Sequence, residues 1–260
     1  MNFTKEQLDK HTEVLAKKVF LTDRLPHFDL LLREVRMLAV NLPTDATVVS
    51  LERGLLYGGL SLIGPYFHKQ TFISVDSSPE SADERGAYNK DKVIDNDFLR
   101  VPISKRASIE DTGLEDNLAD LVLVPNLVHH IANQDKLFKE MARITKTNGK
   151  VFVFEPTLRE LHQMPDDYLR YTPFGMENIM RNVGLAPIET KLDGGPFSAI
   201  GYCWLQALEY FPEESRTKME KWFFDEHWPQ LKEWDTSHTE NLVREHTKFP
   251  VGFSILAEKT

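Results

Sequence analysis

A chain of 260 residues, 41% hydrophobic and 27% charged, is long enough to bury a sizeable core and has the balance of a soluble globular protein. Its 31 basic and 40 acidic side chains leave a formal charge of −9, which disfavours a surface that holds nucleic acid through its phosphates. The single cysteine, Cys203, excludes an internal disulfide and a cysteine-rich zinc site, and no run approaches the roughly 18 apolar residues of a membrane span. The opening MNFTKEQLDK lacks the apolar stretch of a secretory signal, so the expected setting is the cytoplasm.

From the start of the chain, Thr4 stands three residues before Gln7, a capping-box spacing. It opens a predicted helix to about Phe20 with Leu8, Leu15 and Val19 on one stripe. A second helix is expected over Phe28 to Val40, with Leu31, Val35 and Leu38 on one face. Thr47 to Asp76 then reads as strand, glycine-bearing turn, helix and strand, ending on a carboxylate. Ala107 to Asp111 suits a short strand or a loop. Asp120 to Val124 is a continuous apolar run of the kind buried on both faces of a parallel sheet.

Asp135 to Thr145 carries Leu137, Phe138, Met141 and Ile144 at helical spacing, Asn148-Gly149 turns the chain, and Lys150 to Phe154 is the next strand. Thr172-Pro173 caps a helix that Gly184 ends, and Leu185 to Leu192 follows as a strand. An aromatic-rich helical insertion covers 197–248 and holds all four tryptophans, before a last strand from Phe249 to Glu258. Alternating strands and helices predict a Rossmann-like, doubly wound α/β sheet. The expected division is an N-terminal helical segment (1–43), a sheet domain (44–196 and 249–260) and the insertion (197–248), which acts as a lid or an oligomer contact.

Three pieces, in this order and spacing, resemble the class I S-adenosylmethionine-dependent methyltransferases of small molecules. They are Val-Asp-Ser-Ser-Pro-Glu at 75–80, the run from Asp120 through His129-His130-Ile131, and Arg143 to Lys150 leading into Val151-Phe-Val-Phe-Glu-Pro156. The resemblance implies a seven-stranded sheet with an antiparallel last strand and S-adenosylmethionine bound over the carboxyl ends of the strands. It departs from the family at the first motif, Ser50-Leu51-Glu52-Arg53-Gly54, where a glutamate replaces the first glycine of the usual pair.

On that resemblance the cofactor-binding residues are Glu52, Gly54, Gly58, Asp76, Ser77, Ser108, Ile109 and Asn126, with Asp76 on the ribose hydroxyls and Ser108 and Ile109 beside the adenine. Glu52 either engages the methionine ammonium or blocks the backbone approach that glycine permits. Asp76 reads equally as a helix cap ahead of Ser77, Ser78 and Pro79. His129 and His130 follow the central strand at the expected mouth, as general-base candidates or as packing residues; only one of an adjacent pair points into a cleft. Glu155, Tyr168, Arg170 and Tyr171 line the same mouth as substrate contacts, or pin their own loop. His162, His227, His238 and His246 show no metal-ligand spacing, so no metal is expected.

The function that follows is methyl transfer to oxygen or nitrogen of a small metabolite, with no nucleic-acid or membrane partner and a homodimer allowed by the aromatic insertion. The alternatives are a degenerate methyltransferase-like scaffold and an enzyme that uses the same cofactor for other chemistry. A dinucleotide is the poorer ligand, because Glu52 sets a negative charge beside its phosphates.

Overall fold

Apolar runs and the caps between them fix the elements of the computed structural model, which describes residues 2–78, 99, 101–241 and 249–260. Helix α1 (Lys5–Val14) starts from the predicted capping box. Thr4 Oγ1 accepts from Gln7 N at 3.2 Å and Gln7 Oε1 accepts from Thr4 N at 2.9 Å. One wider helical turn, Leu15–Val19, continues it. Helix α2 (His27–Asn41) buries Phe28, Leu31, Leu32 and Val35.

The strands are β1 (Thr47–Glu52), β2 (Leu60–Ser61), β3 (Thr71–Asp76), β4 (Val101–Pro102), β5 (Lys105–Arg106), β6 (Ala119–Pro125), β7 (Thr145–Pro156), β8 (Leu185–Asp193) and β9 (Gly252–Lys259). Seven form one sheet in the order β5-β3-β1-β6-β7-β9-β8. The pairs from β5 to β7 are parallel, and β9 runs antiparallel to both β7 and β8, so the last strand is reversed as expected. Strand β6 is the predicted doubly buried run. Val122 and Val124 point into one core, while Leu121 and Leu123 point into the other, the period-two alternation of a strand between two layers. Helices α3 (Gln134–Ile144) and α4 (Pro173–Asn182) cover the first face; α1 and α2 cover the second. Thr172 Oγ1 caps α4 by accepting from Gly175 N at 3.2 Å.

Two local expectations are corrected. Between β1 and β3 there is no α-helix; two short 3₁₀ turns (Gly54–Tyr57 and Gly64–Phe67) flank β2, which pairs with β4. Gly58 and Gly59 stand at φ 73° and 76°, and Pro65 follows Gly64, so a continuous helical ladder cannot form. The Asn148-Gly149 turn is a bulge inside β7: Asn148 has φ 62°, and the register with β6 jumps between Ala119 and Leu121. Residues 107–111 form a loop after β5.

The insertion contains α5 (Pro196–Ala207), α6 (Glu213–Phe224) and α7 (Trp228–Asn241); residues 242–248 of the predicted span lie outside the described residues. Trp204 and Trp228 pack with Leu208, Phe223 and Phe224 into a small core of their own, whereas Trp222 and Trp234 are partly exposed. Trp228 Nε1 donates to Asp23 O at 2.7 Å, and Arg24 pairs with Glu220 while its guanidinium lies 4.6 Å from the Phe224 ring centre. These contacts fasten the insertion to the N-terminal segment. No helix among the described residues is long and apolar enough to cross a membrane.

Candidate functional site

Parallel strands deliver their carboxyl ends to one edge, and the polar residues gather there. Glu52 and Asp76 end β1 and β3 and are register partners. Both are buried. Glu52 Oε1 accepts from Ser61 Oγ at 2.6 Å, and Ser61 Oγ in turn accepts from Gly64 N at 2.9 Å. Burial pushes the Glu52 carboxyl up to about 7; the Ser61 hydrogen bond opposes this and the neighbouring Asp76 adds to it. Asp76 Oδ1 accepts from Ser78 N at 2.9 Å, and Ser77 donates both N–H and Oγ–H to Glu52 O.

Gly54 follows directly. A Cβ there would stand 2.3 Å from Ile103 Cδ1, so the close approach that this glycine permits is made by the protein's own Ile103. Gly58 needs its positive φ and has open space around it. Ser108 is exposed and accepts from Glu110 N at 3.1 Å, while Ile109 is fully buried in the core.

On the other half of the edge, β6 passes into Asn126, which has φ 58° and donates its N–H to Phe154 O at 2.8 Å. Its Oδ1 is buried with no hydrogen-bond partner. Glu155, near the end of β7, accepts from Leu127 N at 2.7 Å and Val128 N at 2.6 Å through Oε1, and its Oε2 lies 2.6 Å from His129 Nδ1. With Oε1 taken by two backbone N–H groups, Oε2 is the acceptor for His129, which donates from Nδ1. His130 Nδ1 donates to Asp166 O at 2.5 Å. Burial holds His130 well below the usual imidazole range, helped by the field of His129.

The loop after β7 returns over this edge. His162 Nδ1 donates to Glu160 O at 3.0 Å, and its Nε2 stands 3.3 Å from His129 Nε2. Burial lowers His162 to about 4, with Arg159 and His129 acting in the same direction. Arg170 grips Asp167 at 2.5 and 2.9 Å and also reaches Glu160 O. Burial raises the Asp167 carboxyl, but Arg170 and the His162 N–H outweigh it and leave the group well below the carboxylate range.

A cavity of about 70 Å³ opens among Glu52, Arg53, Tyr57, Asn126, His130 and His162. It shares Phe20, Tyr57, Asn126 and Arg159 with a larger one of about 410 Å³ that reaches Arg24, Phe28 and Leu208. The N-terminal helices and the insertion thus form walls of a space over the ends of β1 and β6.

Of the residues singled out from the sequence, Glu52, Asn126 and His130 line this space. Asp76 and Ser77 sit beside Glu52, and Ser108 and Ile109 lie apart from the cavity. Glu155 and His129 form a buried pair behind His130. Arg170 is held by Asp167 and Tyr168 donates to Asp166 Oδ1 at 3.1 Å, both within the loop, while Tyr171 packs on Phe138 and approaches Gln134 Oε1 at 3.5 Å, pinning the loop to α3. The histidines set aside as lacking metal-ligand spacing did not include the neighbours His162 acquires: His129, His130 and His162 converge, one ring nitrogen of each within 4.8 Å of the others. Arg53, Tyr57, Arg159 and Gln163 were missed. The density of His, Asp, Arg and Tyr over 159–171 was the signal for Arg159 and Gln163, since loops carry functional residues, whereas Arg53 and Tyr57 come from the turn after β1.

Comparison with known proteins gives a consistent picture. The family model of the methyltransferase domain matches residues 55–153. No curated protein matches the chain. Among solved structures, a candidate sarcosine dimethylglycine methyltransferase from Galdieria sulphuraria superposes with TM-score 0.50 at 16% identity, covering 89% of this chain and 84% of that one. The complex of the Haloferax volcanii Trm112 methyltransferase activator with its candidate methyltransferase gives 0.51 at 15%, covering 99% of each chain. The [4+2]-cyclase SpnF gives 0.50 at 16%, covering 87% and 80%. At these identities the structures speak for the fold.

Proposed function

We propose that the chain, whose residues 55–153 match the methyltransferase-domain family, is an S-adenosylmethionine-dependent class I methyltransferase that methylates an oxygen or nitrogen of a small metabolite held in the cavity over β1 and β6. The observation that carries this reading is the make-up of the walls of that cavity. Helical segments from both ends of the chain wall it, and Phe20, Phe28, Tyr57 and Leu208 face it beside polar groups. Such a space suits a compact acceptor better than a polymer, and the charge of −9 points the same way.

The strand-end residues fit the cofactor. Asp76 and Ser77 are the proposed ribose partners, and Glu52 with the unpartnered Asn126 Oδ1 offers acceptors for an ammonium. Gly58, in open space, gives the turn room beside them, and Ser108 and Ile109 are the proposed adenine neighbours. Gly54 is assigned to packing against Ile103 instead. When bound, the cofactor supplies an electrophilic methyl group. The residues around it have to align the acceptor and keep water out.

His130 is the member of the histidine pair proposed to meet the acceptor, because it lines the cavity. His129, held by Glu155, positions it. Tyr168, Arg170 and Tyr171 contribute by keeping the 159–171 loop over the cavity.

Isothermal titration with S-adenosylmethionine and with its demethylated product, on wild type and Asp76→Ala, tests this. Micromolar binding by wild type, weakened at least tenfold in the variant, is expected, together with methylated product in a panel of small hydroxy and amino acceptors. Absence of binding by wild type at millimolar ligand would overturn it, and tight binding without product across the panel would point to other chemistry on the same cofactor.

A further inference from the structure

Three imidazoles meet at the mouth, and each has its Nδ1 hydrogen already committed. His129 donates to the Glu155 carboxylate, His130 to Asp166 O and His162 to Glu160 O. The nitrogen left on each ring is Nε2, which therefore carries a lone pair. His129 Nε2 and His162 Nε2 face each other at 3.3 Å. Two acceptors at that distance repel unless a cation lies between them.

We propose that His129, His130 and His162 form a binding site for a single divalent transition-metal ion of the zinc type, with a remaining coordination position directed to the cavity. Nitrogens about 2.0–2.1 Å from a tetrahedral ion stand about 3.3–3.4 Å apart, the spacing of the His129–His162 pair. The outer contacts have the form metal-binding histidines require, a carboxylate or carbonyl on the opposite ring nitrogen that fixes tautomer and orientation. All three rings are buried, His129 completely, and one nitrogen of each lies within 4.8 Å of the others, so a small ring movement brings His130 to the spacing of the other two. The local charge allows an added cation: Glu155, Glu160, Asp166 and Asp167 stand against Arg53, Arg159 and Arg170, and these cations are paired, Arg53 with Asp166 at 4.0 Å, Arg159 with Glu160 at 3.3 Å and Arg170 with Asp167. His130 and His162 line the cavity, so the open position faces the space assigned to the acceptor. Resting on the proposed function, the ion would hold the acceptor's oxygen or nitrogen.

The test is metal binding by the full chain. After dialysis against a chelator, Zn²⁺ is titrated by calorimetry and Co²⁺ by visible absorption, on wild type, His162→Ala, His130→Ala and the exposed-site control His227→Ala, with circular dichroism verifying that each variant is folded. One equivalent per chain with the intense bands of low-coordinate Co²⁺ is expected. It should be lost in the first two variants and kept in the control, and Glu155→Gln should weaken it about 10–100-fold. No uptake by folded wild type, or equal loss in His227→Ala, would overturn the site and leave a proton shared between the two imidazoles. Titration of S-adenosylmethionine into the metal-free protein separates this outcome from failure of methyl transfer, because the proposed ribose partners Asp76 and Ser77 are not among the three imidazole ligands.

Discussion

The two halves of the sheet edge solve the same problem in opposite ways. At the ends of β1 and β3 the chain closes on itself: Ile103 fills the notch at Gly54, and Glu52 is capped by the Ser61 hydroxyl. At the ends of β6 and β7 it stays open, with Asn126 Oδ1 unpartnered and three imidazole nitrogens left over after every Nδ1 hydrogen is spent. Ser50 Oγ and Ser78 Oγ are also buried without a partner on the first half, but neither lines the cavity, whereas Asn126 lines the space over β6. Unused buried polar groups are costly unless a ligand takes them, which is why the proposed acceptor and metal sites lie at β6 and β7.

The sharpest way to break this contrast is Glu155→Ala. It strips the acceptor from Leu127 N, Val128 N and His129 Nδ1 together, inside the core. Urea unfolding should report a loss of about 3–5 kcal/mol, as for other buried pairs broken on one side. A loss below about 1 kcal/mol would mean that the histidine loop does not depend on Glu155.

Glu52 gives the next largest effect, and its sign follows from its raised pKa. The folded protein holds this proton up to about pH 7, while the unfolded chain releases it near the ordinary value of 4.5. Stability contributed by the protonated group is therefore present at low pH and lost as pH rises through that window, about 3 kcal/mol in all. Glu52→Gln should match wild type at pH 4 and exceed it by roughly that amount at pH 8, read as midpoint shifts in paired denaturant titrations. An equal difference at both pH values would show that the carboxylate is not buried uncharged.

Gly54→Ala should cost about 1–3 kcal/mol, because the new methyl overlaps Ile103 and crowds Leu60 O. Ile103→Ala in the same chain should return most of it. If the double variant is no more stable than Gly54→Ala alone, the notch is set by backbone geometry instead of by that side chain.

Much of the architecture was legible. Thr4 and Thr172 cap helices where their spacing predicted, the Leu121–Val124 run sits between two layers, and the last strand is reversed. The helix expected after β1 was not, since Gly58, Gly59 and Pro65 override an apolar pattern of the right length. The site was legible in pieces. Glu52, Asn126 and His130 were picked out by position at strand ends, but His162 belongs with His129 only because the loop after β7 folds back across 33 residues.

What the sequence determined alone is what depends on local pattern: element identity from apolar periodicity, helix ends from caps, the parallel sheet from fully apolar strands. What only the tertiary structure decided is which side chains face one another. The pairing of Nε2 with Nε2, the filling of Gly54 by Ile103 and the capture of Arg170 by Asp167 arise from packing between segments distant in the chain, and no spacing along a strand or helix encodes a distance across a core.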